Sequence, residues 1–229
     1  MKNIIKLQTI ILICMAFAVV GCELQPQERF TFNPQTPEQF TFGETTPWEW
    51  LQTNPKEEFT YMIEAIKLAG LQDEYSNKTD KRTYFLIKDL GFTKFNGIFR
   101  REYDYLNDGA LTPLQNLNTA VDTPEKITKL RNILMYHILP KYVDQGPDNL
   151  FTLDFNYEFP TLSPDPNNKI MTINRDWNYT MRINEDPNLG TGSKINTDTK
   201  LHNYIFSNGN SVAHLTEGYA RVEPFEPVE

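Results

Sequence analysis

The hydrophobic residues of this chain change period part-way along it, and that change limits the folds open to it. Phe59, Met62, Ile63, Ile66 and Ala69 recur at three- and four-residue spacing, the mark of one buried helical face. Asn54, Pro55 and Glu57 supply a cap, a first helical position and a capping-box acid, and Gly70 supplies the stop. A second helix is predicted from Asp122-Thr123-Pro124-Glu125 to Tyr136, with Ile127, Leu130, Ile133 and Leu134 inward. From residue 150 the period becomes two: Phe151, Leu153, Phe155, Tyr157 and Phe159 alternate with polar residues, as do Tyr179, Met181 and Ile183. Further strands are expected at 169–174, 201–206, 212–215 and 219–222. Helices first and strands later predict an α+β fold, whereas 88–120 reads as loop.

Two segments narrow the choice. Lys129-Leu130-Arg131-Asn132-Ile133-Leu134-Met135-Tyr136-His137-Ile138-Leu139-Pro140 runs a helix into a strand through a Tyr-His pair, and Ser207-Asn208-Gly209 bends the chain into Val212-Ala213-His214-Leu215 and on to Pro224. Together they resemble the fasciclin domain, as do Trp48-Glu49-Trp50-Leu51 and Gly70-Leu71 around the first helix. Thr83-Tyr84-Phe85-Leu86-Ile87 stands where that family has an early strand, without its Ala-Pro-Thr turn. The resemblance implies a fasciclin-like wedge of two antiparallel β-sheets with N-terminal and central helices packed on it. It implies structural roles for Tyr136, His137, Asn208, Gly209, His214 and Pro224, and binding outside cells as the work of the domain.

The start of the chain says where such a domain would operate. Lys2 and Lys6 precede an apolar run from Ile10 to Val20, which closes in Val19-Val20-Gly21-Cys22. A positive start, a short apolar middle and small residues before the cut make a secretory signal, and a cysteine directly after it is the acceptor of bacterial lipoprotein acylation. The run is shorter than the ~20 residues that span a bilayer. The expected organisation is a signal peptide at 1–21, a tether at 22–47 and one domain at 48–229. Acylated Cys22 then joins the lipid bilayer of the cell envelope, with the outer membrane expected.

Of two cysteines, Cys14 lies in the signal and Cys22 takes the lipid, so disulfide, thiolate-metal and thiol chemistry are not expected. The net charge is −8, and losing Lys2 and Lys6 makes the remainder more acidic, which argues against nucleic acid. The three histidines have no metal-ligand spacing, and five serines offer no nucleophile elbow. His137, at a helix end, is read as donating to open carbonyls, and His214 as a satisfied core group. Neither cofactor nor catalytic residue is expected. Oxygen-rich loops around Asp165, Asn167, Asn168, Glu185, Asp186 and Asn188 leave calcium as an alternative to a solvated turn.

Residues 28–37 and 38–47 form a ten-residue repeat, each with a Phe-Thr-Phe unit. Phe30, Phe32, Phe40 and Phe42 exceed what a solvated spacer needs, so the arm is expected to lie along the domain or a partner. Together with aromatics of 88–105, these four are the candidate interaction residues. The function expected is non-enzymatic: adhesion or protein–protein interaction at the bacterial surface, with a protein or polysaccharide partner. The alternative is an accessory glycan-binding lipoprotein of a nutrient-uptake system, with Trp48, Trp50 or Trp177 stacking on sugar rings.

Overall fold

The computed structural model describes residues 37–53, 58–185, 197–198 and 202–228. Readings placed on the signal, Cys22, Phe30, Phe32, the Asn54 cap and 186–196 lie outside these residues.

The fold is α+β, with helices and two sheets. The larger sheet has the order β1-β8-β9-β2-β3, from β1 (Glu38–Thr41), β2 (Arg82–Ile87), β3 (Ile138–Leu139), β8 (His202–Phe206) and β9 (Ser211–Thr216). The smaller has β4 (Tyr157–Pro160), β5 (Ile170–Arg175), β6 (Met181–Ile183) and β7 (Thr197–Asp198) in sequence order. The smaller sheet is antiparallel throughout. The larger is mixed: β8 and β9 form an antiparallel hairpin, but β1 runs parallel to β8 and β2 parallel to β9. The helical half of the chain separates β2 from β9, so their pairing needs no hairpin and can be parallel.

β1 also moves the domain boundary. Residues 38–47, expected in the tether, are a strand and turn of the domain, with Glu38 in register with His202 and Thr41 with Ile205. Phe40 stacks on Tyr204 at 5.3 Å, and Phe42 stacks on Phe206 at 4.9 Å and leans on Trp50 at 6.0 Å. Thr46 then caps α1 (Pro47–Thr53) by accepting the Glu49 N–H, while the Glu49 carboxylate accepts that of Thr46.

The first long helix, α2 (Thr60–Leu68), has a cap that comes from a distance. Asp89 accepts the Tyr61 N–H at 2.8 Å. Tyr61, Met62, Ile63, Ala65 and Ile66 are its buried face, and Leu71 packs just beyond Gly70. After α3 (Gln72–Tyr75) and β2, the stretch read as loop holds three helices: α4 (Asp89–Thr93), α5 (Ile98–Tyr103) and α6 (Pro113–Ala120). Most are too short to show a period. The eight-residue α6 carries a capping box, Thr112 with Gln115, that the sequence displays plainly. α7 (Pro124–Tyr136) starts within the expected Asp122-Thr123-Pro124-Glu125 segment, with Thr123 as its N-cap.

The strand expected around residues 151–159 is cut to Tyr157–Pro160, and the one at 219–222 is a tail with an isolated bridge at Arg221 and no strand. That tail is tied down by side chains. From Tyr219 to Glu226 every residue except Pro224 hydrogen-bonds to α5, α7 or the two sheets' connections. Side-chain acceptors here replace the partner strand that the backbone would otherwise need.

Candidate functional site

The Tyr-His pair ends α7, where the last carbonyls have no helical partner. His137 is buried, and its Nδ1–H donates to Ile133 O at 2.8 Å while Nε2 accepts the Ala220 N–H at 2.9 Å. Accepting at Nε2 fixes the neutral tautomer with the proton on Nδ1. Burial lowers its pKa to about 4. Tyr136 donates its hydroxyl proton to Ile170 O at 3.0 Å and accepts from Asn184 Nδ2 at 2.9 Å. Asn184 also donates to Arg221 O. The pair thus joins the helix end, the smaller sheet and the tail.

His214 does comparable work on the larger sheet. Its Nε2–H donates to Val143 O at 2.9 Å, next to Thr83, which donates to Lys141 O at 2.6 Å and accepts the Val143 N–H at 2.8 Å. Asn203 accepts the Gln145 N–H. Side chains from β8, β9 and β2 therefore hold residues 141–145 across the sheet on the way to the smaller one. Burial holds the His214 pKa down to about 4 as well. Asn208 and Gly209, with φ of +53° and +85°, turn β8 into β9, and Pro224 lies exposed in the tail.

Asp165 and Asn168 are wholly buried, not solvated, and their oxygens face the protein's own donors rather than open space. Asp165 accepts from Glu226 N and Asn168 Nδ2, and Asn168 accepts from Val222 N and Glu223 N. A calcium ligand role at these two residues is replaced by fastening of the tail. A cleft of about 280 Å³ opens beside Glu58, Lys88, Asp89, Leu90 and Glu217, but Lys88 is paired with Glu58, and Asp89 is the cap of α2.

The candidate interaction residues divide. Phe40 and Phe42 pack on the sheet, and of the aromatics in 88–105, Phe92 and Phe99 are buried, Tyr103 and Tyr105 partly so, and Phe95 alone is exposed. Trp50 is in the core and Trp48 packs against it. Trp177, at the β5–β6 turn, is 65% exposed, and Phe151, Leu153 and Phe155 are 79%, 44% and 54% exposed. These three were expected on a half-buried strand. The backbone of this stretch is held instead by Arg175, which donates from Nε to Leu150 O at 2.5 Å and from its outer guanidinium nitrogen to Phe151 O, and whose own carbonyl accepts the Asp154 N–H at 3.0 Å. Asp154 sits at φ +52°, breaking the strand. The alternation in 151–155 was the sequence signal for this surface; what it could not convey was that, among the described residues, no sheet covers it.

No family model matches the sequence, and no curated protein matches it. Among solved structures the chain is similar to a FAS1 domain pair from the insect cell adhesion molecule fasciclin I, at 14% identity and a TM-score of 0.48. The likeness covers 76% of this chain and 50% of that one, so the chain spans half the length of the pair it matches.

Proposed function

We propose that this chain is a bacterial cell-envelope lipoprotein, anchored through acylated Cys22, whose fasciclin-like domain mediates adhesion or protein–protein interaction. The observation that carries the reading is the group of Phe151, Leu153, Phe155 and Trp177, open to solvent in a domain that buries Trp50, Phe59, Phe85, Phe92, Phe99, Phe206 and Phe225. Exposed large apolar side chains grouped together mark contact surfaces. The motif side chains Tyr136, His137 and His214 are taken up in holding the fold together, which leaves the surface as the working part. Val19-Val20-Gly21-Cys22 supports the anchor and with it a place in the outer membrane.

The test is in the envelope of a bacterial host. The full chain is expected to take up alkyne-palmitate and stay with the membrane, and Cys22→Ser to do neither. A photo-crosslinking residue at position 177 is expected to yield a discrete protein adduct. Membrane retention without Cys22, or no protein adduct at 177, would overturn the reading. The accessory glycan-binding role keeps one supporting observation, the exposure of Trp177; glycan in place of protein at the crosslink would move the reading there.

A further inference from the structure

The acid and base distribution around the exposed aromatic group says what it fits. Between Lys141 and Lys169 the chain has no Lys or Arg and five acids: Asp144, Asp148, Asp154, Glu158 and Asp165. Asp148, Asp154 and Glu158 are exposed along the same stretch that presents Phe151, Leu153 and Phe155. Among the described residues, the arginines of the two strands that flank Trp177 are already engaged. Arg175 is buried, donates to Leu150 O and Phe151 O, and lies over the Tyr179 ring at 4.9 Å. Arg182 pairs with Glu185 at 3.1 Å and Asp176 at 3.5 Å. Lys169 precedes β5 at the end remote from Arg175.

Resting on the binding role proposed above, we infer that Phe151, Leu153, Phe155 and Trp177 form an acid-rimmed docking surface for a protein segment whose apolar side chains are flanked by Lys or Arg. Two properties favour that occupant. An apolar centre supplies contact area whose removal from water drives association, and a rim of one sign attracts the opposite sign and repels its own. The same rim disfavours an anionic lipid surface, whose potential attracts basic segments and not acidic ones. Arg175 makes the surface rigid: it fixes the backbone of 150, 151 and 154 from one side chain and one carbonyl, so the aromatics are presented with little ordering left to be lost on binding.

Four probes test this on the full mature chain carrying Cys22→Ser: a peptide of two phenylalanines flanked by lysines, its counterpart with glutamates, phosphatidylglycerol vesicles and a soluble neutral glucan. Calorimetric titration is expected to show the lysine peptide binding at least tenfold more tightly than the glutamate peptide. Phe151→Ser with Trp177→Ser should weaken it at least tenfold, with melting unchanged because both side chains are exposed. Asp148→Asn with Asp154→Asn keeps the apolar centre and should weaken it about threefold or more, as should raising the salt concentration. Equal affinity for the two peptides, indifference to both pairs of substitutions, preference for vesicles or glucan, or no binding of any probe would overturn the assignment. The crosslink at position 177 judges the wider binding role independently, so the two can fail separately.

Discussion

Glu102 and Arg221 meet at 2.7 Å across 119 residues of sequence, with the carboxylate fully buried. The same oxygen accepts the Tyr219 hydroxyl at 2.7 Å, and the other accepts the Phe225 N–H at 3.2 Å and faces Lys129 Nζ at 3.2 Å. One acid on α5 therefore anchors three residues of the tail and neutralises two cations. Glu102→Gln leaves Arg221 and Lys129 facing one another with no anion between them. Breaking a buried pair in this way costs about 3–5 kcal/mol. Urea denaturation should show a loss of that order, and limited proteolysis should cut the variant within 219–228 before the rest of the domain.

His137 and His214 predict the pH dependence. Both are buried and neutral, with folded pKa values lowered to about 4 from an ordinary value of 6.5. Between those values the unfolded chain binds protons that the native one refuses, so stability falls as pH drops from about 6.5 towards 4 and is level above about 7. A shift of this size corresponds to about 3 kcal/mol per histidine. His137→Asn or His214→Asn should lower stability at pH 7 yet flatten its decline below 6.5. A decline as steep in the double variant as in the parent would show that carboxylates, not these rings, set it.

How much of this was legible in the sequence depended on how far apart the partners are. Thr123, Asn208 and Gly209 act on neighbours a few residues away, and α7 and the β8–β9 turn stand where the sequence puts them. The cap of α2 comes from Asp89, 28 residues on, and the tail is held by Glu102 and Asn168 rather than by a strand. No local pattern encodes those pairings. Phe151, Leu153 and Phe155 show the converse: alternation reports which residues share a face, but burial of that face needs a second layer, and here the layer ends at Tyr157.

The seat of β1 is a matter of ring packing. Among the described aromatic rings, Phe42 contacts Phe206, Tyr204 and Trp50, while Phe40 reaches only Tyr204 and His202, nearer the edge. Phe42→Ala is expected to lose about 2 kcal/mol, below the ~3–5 kcal/mol of a fully buried phenylalanine, and Phe40→Ala less. Trp50 emission should shift to the red in the first variant and scarcely move in the second. Equal losses would mean that backbone pairing with β8, not the aromatic stack, holds the strand.

Two glycines should respond to substitution by opposite rules. Gly209 has φ +85° and open space where a Cβ would go, so Ala there is penalised for its backbone by about 1–2 kcal/mol, and Asn, which tolerates the left-handed region, by less. Gly97 has an ordinary backbone, but a Cβ would stand 2.6 Å from Phe92 O and 2.9 Å from Gly91 O, backbone atoms of α4 that cannot step aside alone. Its cost should begin at about 1–3 kcal/mol for Ala and rise with every added carbon. Thermal melts of Ala, Asn and Val variants at the two sites would separate the causes. At 209 the order of stability should follow tolerance of positive φ, with Asn above Ala and Ala above Val; at 97 it should follow volume, with Ala above both Asn and Val.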